Sequence, residues 1–68
     1  MKINIRVNGS DTEIENLTHL EDLVDSMEVK KQGLIAELNN NIIHRERWKE
    51  TTIHEGDVIE LINFVGGG

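Results

Sequence analysis

The 68-residue chain contains no cysteine, so it has no disulfide, no thiolate nucleophile and no cysteine-based metal site. Proline and tyrosine are also absent, and one Trp and one Phe supply all the aromatic bulk. A core this small needs that bulk, so we expect Trp48 to cover the core. No apolar run approaches a membrane span or the h-region of a signal peptide. We therefore expect one small soluble domain in the cytoplasm.

Basic residues are scarce, because seven Lys and Arg stand against thirteen Asp and Glu for a formal net charge of −6. This balance works against binding a nucleic-acid backbone and favours basic partner surfaces. For most of the carboxylates, solubility is a sufficient explanation. Neither nucleic acid nor a membrane is expected as a partner.

Alternation of apolar and polar residues predicts an N-terminal hairpin. In KINIRVN, the residues Ile3, Ile5 and Val7 alternate with polar ones, which is typical of a strand with one wet face. The turn NGSD should then return the chain into a second strand near residues 12–15.

A helix is predicted next, starting at a capping box formed by Thr18 and Glu21. An apolar stripe with helical spacing follows and should cover one face of the hairpin. The stripe consists of Leu20, Leu23, Val24 and Met27.

The second half of the chain predicts further strands separated by turns. LIAEL is a third strand, the asparagines at 39–41 mark a turn, and IIHRERW holds a short strand and a helical turn. After the turn HEGD, VIELINFV is the last strand, and it fits best beside the first.

The predicted fold class is therefore α+β, a β-grasp (ubiquitin-like) domain with a mixed four- to five-stranded sheet packed on one main helix. The domain should span residues 1–65, followed by a flexible glycine tail at 66–68.

Alternation along the last strand predicts a patch on the outer face of the sheet. Glu60 should point to water, and Ile62 and Phe64 then share its face. Ile35, on the third strand, is expected to lie outward as well. Such a patch suits a docking partner, although single exposed apolar residues are ordinary.

The chain ends in GGG, directly after the last strand and without a linker. Glycines can thread a channel too narrow for any side chain. The carboxylate of Gly68 is then available for activation by ATP to an acyl-adenylate, which a sulfur or amine nucleophile could attack. The alternative is a frayed chain end that no partner recognises.

The second half of the sequence resembles the ThiS family, the sulfur carrier proteins of the thiamine pathway. The matching features are the LN turn at Leu38 and Asn39, the IIHRERW segment, the EGD turn at Glu55 to Asp57, the VIELINFV strand and the terminal glycines. The first half matches only in length and in its strand–helix pattern. Members more often carry Pro where His44 stands, a departure that should not affect the mechanism.

This resemblance implies a carrier that is a protein co-substrate and not an enzyme. Gly68 would be adenylated by a ThiF-type enzyme that uses ATP, converted to a thiocarboxylate with sulfur from a cysteine desulfurase, and used by thiazole synthase. Gly66 and Gly67 would carry this reactive end into both active sites. No cofactor is expected on the chain, which should be a monomer by itself. The expected docking residues are Ile35, Ile62, Phe64 and Val65.

Three other functions would make different demands on the sequence. The small subunit of molybdopterin synthase shares the fold and the Gly-Gly end, but it usually has a longer chain with proline before its glycines. A ubiquitin-like binding module with an inert tail would keep its activity without Gly68. An enzyme would need a group of catalytic or metal-binding residues. The candidate residues His19, His44 and His54 lack partners at metal-binding or acid–base spacing.

Overall fold

The alternating residues at the N-terminus form the first strand of a mixed five-stranded sheet. The structure is a computed structural model that describes residues 1–64. The predictions for Val65, Gly66, Gly67 and Gly68, including the boundary between domain and tail, lie outside these residues. Along the chain the elements are β1 (Lys2–Val7), β2 (Ser10–Glu15), α1 (Leu20–Ser26), β3 (Leu34–Leu38), β4 (Asn41–Ile43), a 3₁₀-helix (Arg45–Glu50) and β5 (Val58–Asn63).

The strands lie in the order β2-β1-β5-β3-β4, and only the β1–β5 pairing is parallel. The last strand therefore lies in the middle of the sheet, beside the first strand as predicted. This order and the single α-helix of the described residues confirm the α+β, β-grasp class.

The N-terminal hairpin is confirmed, but β2 begins earlier than predicted. Asn8 and Gly9 both have positive φ, at 50° and 82°, which is the geometry of a two-residue hairpin turn. Such a turn returns the chain at once, so pairing starts with Val7 opposite Ser10 and runs to Lys2 opposite Glu15.

The predicted capping box at the start of α1 is wrong. The cap residue is His19, and no side chain caps the helix. The Thr18 hydroxyl instead donates to the Glu15 carbonyl at 2.7 Å, and the Leu20 amide donates to the Thr51 carbonyl at 2.8 Å. A distant segment thus satisfies the first amide of the helix, which a local motif was expected to do.

The core lies between the inner face of the sheet, α1 and the segment after β4. The predicted helix stripe is confirmed in three of its positions, whereas Met27 is the C-terminal cap and is 37% exposed. Trp48 is buried as predicted, and its indole N–H donates to the Ile43 carbonyl at 2.8 Å. The buried core residues are Ile3, Ile5, Val7, Leu20, Leu23, Val24, Ala36, Trp48, Ile53 and Ile59.

The predicted asparagine turn joins β3 to β4 and also fixes the start of β5. Asn39 and Asn40 have φ of 52° and 72°, a region that Asn tolerates better than most residues. The Asn39 amide side chain donates to the Asp57 carboxylate at 3.0 Å and accepts from the Val58 amide at 2.9 Å. This one side chain therefore ties the turn to the first residue of β5.

We expect Asn39→Gly to lower the free energy of unfolding by about 1–2 kcal/mol, because it keeps the positive φ but removes both hydrogen bonds. Urea unfolding measures the effect. Asn40→Gly is the matched control and should change stability by less than about 0.5 kcal/mol, since no side-chain bond is lost. Equal effects at both positions would contradict the role assigned to Asn39.

The same substitution on the two faces of β5 should have unequal effects. Ile59 is fully buried and Ile62 is 39% exposed. We expect Ile59→Val to lower the free energy of unfolding by about 1 kcal/mol and Ile62→Val by less than about half of that. Comparable losses in urea unfolding would show that Ile62 packs in the core.

Candidate functional site

The predicted apolar patch is on the outer face of the sheet, where β3 and β5 run side by side. Ile62 pairs directly opposite Ile35 in the antiparallel register. Phe64 follows just past the end of β5, is 74% exposed, and donates its backbone N–H to the Gly33 carbonyl at 3.0 Å. This bond keeps the chain alongside the start of β3. We call Ile35, Ile62 and Phe64 the outer patch.

The inner face of β5 has the opposite character, as the alternation predicted. Ile59 is fully buried, and Leu61 is half-buried against the core. One strand therefore holds the core with one set of side chains and presents the outer patch with the other.

A second row of side chains crosses the outer face next to the outer patch. Glu60 on β5 lies directly opposite Glu37 on β3, and Glu37 in turn lies opposite Ile42 on β4. Ile42 and Val58 are 56% and 40% exposed. Sequence reasoning missed both as patch neighbours. Alternation from Glu60 would have found Val58, whereas the position of Ile42 follows only from the strand register.

The other half of the outer face, on β1 and β2, carries two ion pairs, and Glu13 is the one charged side chain there that has no ion pair among residues 1–64. The Lys2 ammonium is 3.3 Å from the Glu15 carboxylate, and the Arg6 guanidinium is 2.9 Å from that of Asp11. The hydrogen bond from Lys2 and the nearby N-terminal ammonium hold the pKa of Glu15 below its ordinary value. This half of the face is therefore locally neutralised.

The predicted reactive group, the carboxylate of Gly68, lies outside the described residues together with Val65, Gly66 and Gly67. Phe64 is the last residue that the structure describes, so the outer patch ends where that segment begins. Of the predicted site residues, the structure places Ile35, Ile62 and Phe64 along the same two strands.

The histidines do not form a catalytic or metal-binding group within residues 1–64. His44 and His54 are exposed, and the His19 ring forms an ion pair with Asp22, with 3.7 Å between Nδ1 and Oδ2. No cluster of three or more potential metal ligands occurs in this part of the chain. Nor does any helix in the same range have the length and hydropathy needed to cross a membrane.

Comparison with known proteins covers almost the whole chain. The sequence of residues 5–68 matches the ThiS family. The chain is 37% identical over 65 residues to the sulfur carrier protein ThiS of Bacillus subtilis, covering 94% of this chain and 98% of that protein. It is also 32% identical over 62 residues to the uncharacterized protein ycf40 of Trieres chinensis, covering 91% of this chain and 85% of that protein.

A solved structure agrees with the sequence match. The crystal structure of the thiamine biosynthesis protein ThiS from Geobacter metallireducens superposes with a TM-score of 0.85 at 29% identity, covering 97% of this chain and all of that one. The fold and the sequence point to the same family. The chain therefore belongs to the ThiS family.

Proposed function

We propose that this chain is a sulfur carrier protein of thiamine biosynthesis, in which the carboxylate of Gly68 is adenylated and then converted to a thiocarboxylate. The observation that carries the proposal is the central strand β5, which carries Ile62 of the outer patch and precedes the terminal glycines in the sequence. Membership of the ThiS family and the relative named sulfur carrier protein ThiS support it.

The chemistry requires activation because an ionised carboxylate is a poor electrophile. A carboxylate oxygen of Gly68 attacks the α-phosphorus of ATP and pyrophosphate leaves, which gives an acyl-adenylate. The terminal sulfur of a protein persulfide then attacks the carbonyl carbon and AMP leaves with one carboxylate oxygen. A thiol reductant cleaves the S–S bond of the product, which releases the thiocarboxylate and forms a disulfide. The net change on the carrier is one oxygen replaced by sulfur.

The catalytic groups in this proposal belong to the partners, and the chain serves as their protein co-substrate. The partners are a ThiF-type adenylating enzyme, a cysteine desulfurase that supplies sulfur, and thiazole synthase as the acceptor. ATP binds to the adenylating enzyme, and the carrier holds no cofactor of its own. All of these steps take place in the cytoplasm.

Gly66 and Gly67 are the thin segment that brings the reactive carboxylate to each active site, since glycine presents no side chain to a narrow channel. The outer patch and Val65 form the surface that docks on the partners. Exposed Ile62 and Phe64 support this assignment, because apolar side chains beside a chain end are suited to hold the body of the carrier while its end reacts.

The first test is the intact mass of the protein after incubation with its adenylating enzyme, ATP, a cysteine desulfurase, cysteine and a thiol reductant. We expect a gain equal to one sulfur minus one oxygen. The control is the chain lacking Gly68, which should show no gain yet unfold at the same urea concentration, because the core lies within residues 1–64. An unchanged mass with an enzyme active on another carrier would refute the proposal.

The second test separates docking from folding. Phe64→Ala removes an exposed aromatic side chain, so we expect stability to change by less than about 0.5 kcal/mol and the affinity for the adenylating enzyme to fall about tenfold or more. Urea unfolding and isothermal titration calorimetry measure the two effects. Leu17→Ala is the matched control, because Leu17 is another exposed apolar residue, in the loop between β2 and α1. Unchanged binding of Phe64→Ala would remove Phe64 from the docking surface.

A further inference from the structure

We propose that the outer face of β3 and β5 docks onto a partner surface that is apolar with a cationic side chain at its centre, and that this cation lies between the carboxylates of Glu37 and Glu60. The proposal rests on the proposed function, since the partner is the adenylating enzyme that the carrier must meet. It adds the charge of the partner surface, which the apolar outer patch alone does not specify.

The first observation is the register, which places two like charges directly opposite each other. Glu37 and Glu60 form a cross-strand pair of the antiparallel β3–β5 ladder. Directly opposed side chains have Cβ atoms about 5 Å apart, and like charges in this position destabilise a sheet. Both residues are half-buried, so water screens them less than a fully exposed pair. The isolated fold gains nothing from this pair.

The second observation is that the fold leaves these carboxylates without a counter-charge. Among residues 1–64 neither has an ion pair or a side-chain hydrogen bond. Arg6 lies on the same face in the row of Val58, yet its guanidinium donates to Asp11 on β2 at 2.9 and 3.2 Å. The basic side chains of β1 are thus engaged away from Glu37 and Glu60.

The third observation is the apolar surround of the carboxylates. The pair Ile35 and Ile62 lies on one side of them, Ile42 lies beyond Glu37, and Val58 precedes Glu60 by two residues on the same face. A docked partner would exclude water here, and a charge-assisted hydrogen bond is strongest where water is excluded. Both carboxylates would be left without compensation unless the partner supplied a cation.

A second copy of this chain does not fit this face. Two-fold self-association would bring another Glu37 and Glu60 against the first, and each chain carries a formal net charge of −6. An arginine guanidinium or a lysine ammonium fits instead, and the planar guanidinium can donate to both carboxylates at once.

The test is a double substitution, Glu37→Gln with Glu60→Gln, that keeps side-chain size and removes both charges. The partner is the cognate adenylating enzyme without ATP, and the affinity is measured by titration calorimetry at about 50 and about 200 mM salt. We expect affinity at the lower salt to fall about tenfold or more, and its salt dependence to flatten, relative to the unsubstituted chain. Urea unfolding should show that the double variant is as stable as the unsubstituted chain or more stable. Removing a pair of residues that stabilised the fold would instead lower the stability.

The matched control is Glu13→Gln with Glu46→Gln. Both are exposed, neither has an ion pair among the described residues, and the formal net charge changes equally, from −6 to −4. The affinity for the adenylating enzyme should stay within about twofold, because the net charge of the protein acts mainly through long-range steering of the two proteins toward each other. An equal loss in the control would overturn the proposal in favour of overall charge.

The remaining outcomes separate this proposal from the proposed function. If the unsubstituted chain becomes a thiocarboxylate and the Glu37→Gln, Glu60→Gln variant binds the enzyme equally well, only the cationic contact is refuted. If the unsubstituted chain neither binds nor gains sulfur, both proposals fall. If sedimentation shows a dimer that tightens in the variant, the face pairs two copies and the proposal is wrong.

Discussion

The structure depends on the position of β5 between β1 and β3. On one side, the amide of Arg6 donates to the Asp57 carbonyl and that of Asn8 to the Ile59 carbonyl, which makes the parallel pairing. On the other side, β5 runs antiparallel to β3 along its length. Without β5 the N-terminal hairpin and the β3–β4 hairpin would share no sheet. The two halves of the chain therefore form one sheet only when the last strand is in place.

As a central strand, β5 has a neighbouring strand on each edge, and its two faces differ: one is buried in the core and the other is exposed. Its inward residues are part of the core, so they are constrained by packing and by the volume available. Its outward residues Val58 and Ile62 are 40% and 39% exposed, so packing constrains their identity less. This division explains how so small a domain can carry an exposed apolar patch, because buried and exposed residues alternate along one strand.

The cross-strand pair Glu37 and Glu60 shows that the two halves of the outer face also differ in how their opposed charges are arranged. Where charges face each other across β1 and β2 they are of opposite sign and form ion pairs. Across β3 and β5 they are of like sign and have no counter-charge among residues 1–64. The difference lies within one sheet face of one small protein, so overall acidity does not account for it. The β3–β5 half of the face is therefore the half in which two like charges lie directly opposite each other.

Local sequence patterns were sufficient to predict the strands, the asparagine turn, the apolar stripe of α1 and the two faces of β5, because each depends on periodicity or on the backbone preference of single residues. The terminal residues and their match to a known family were also readable from the sequence alone. The tertiary structure decided the start of α1, where the Thr51 carbonyl replaced a side-chain cap, and the register that sets Ile35 opposite Ile62 and Glu37 opposite Glu60. These features depend on contacts between residues far apart in the chain, and local patterns carry no information about which distant strand a residue will face.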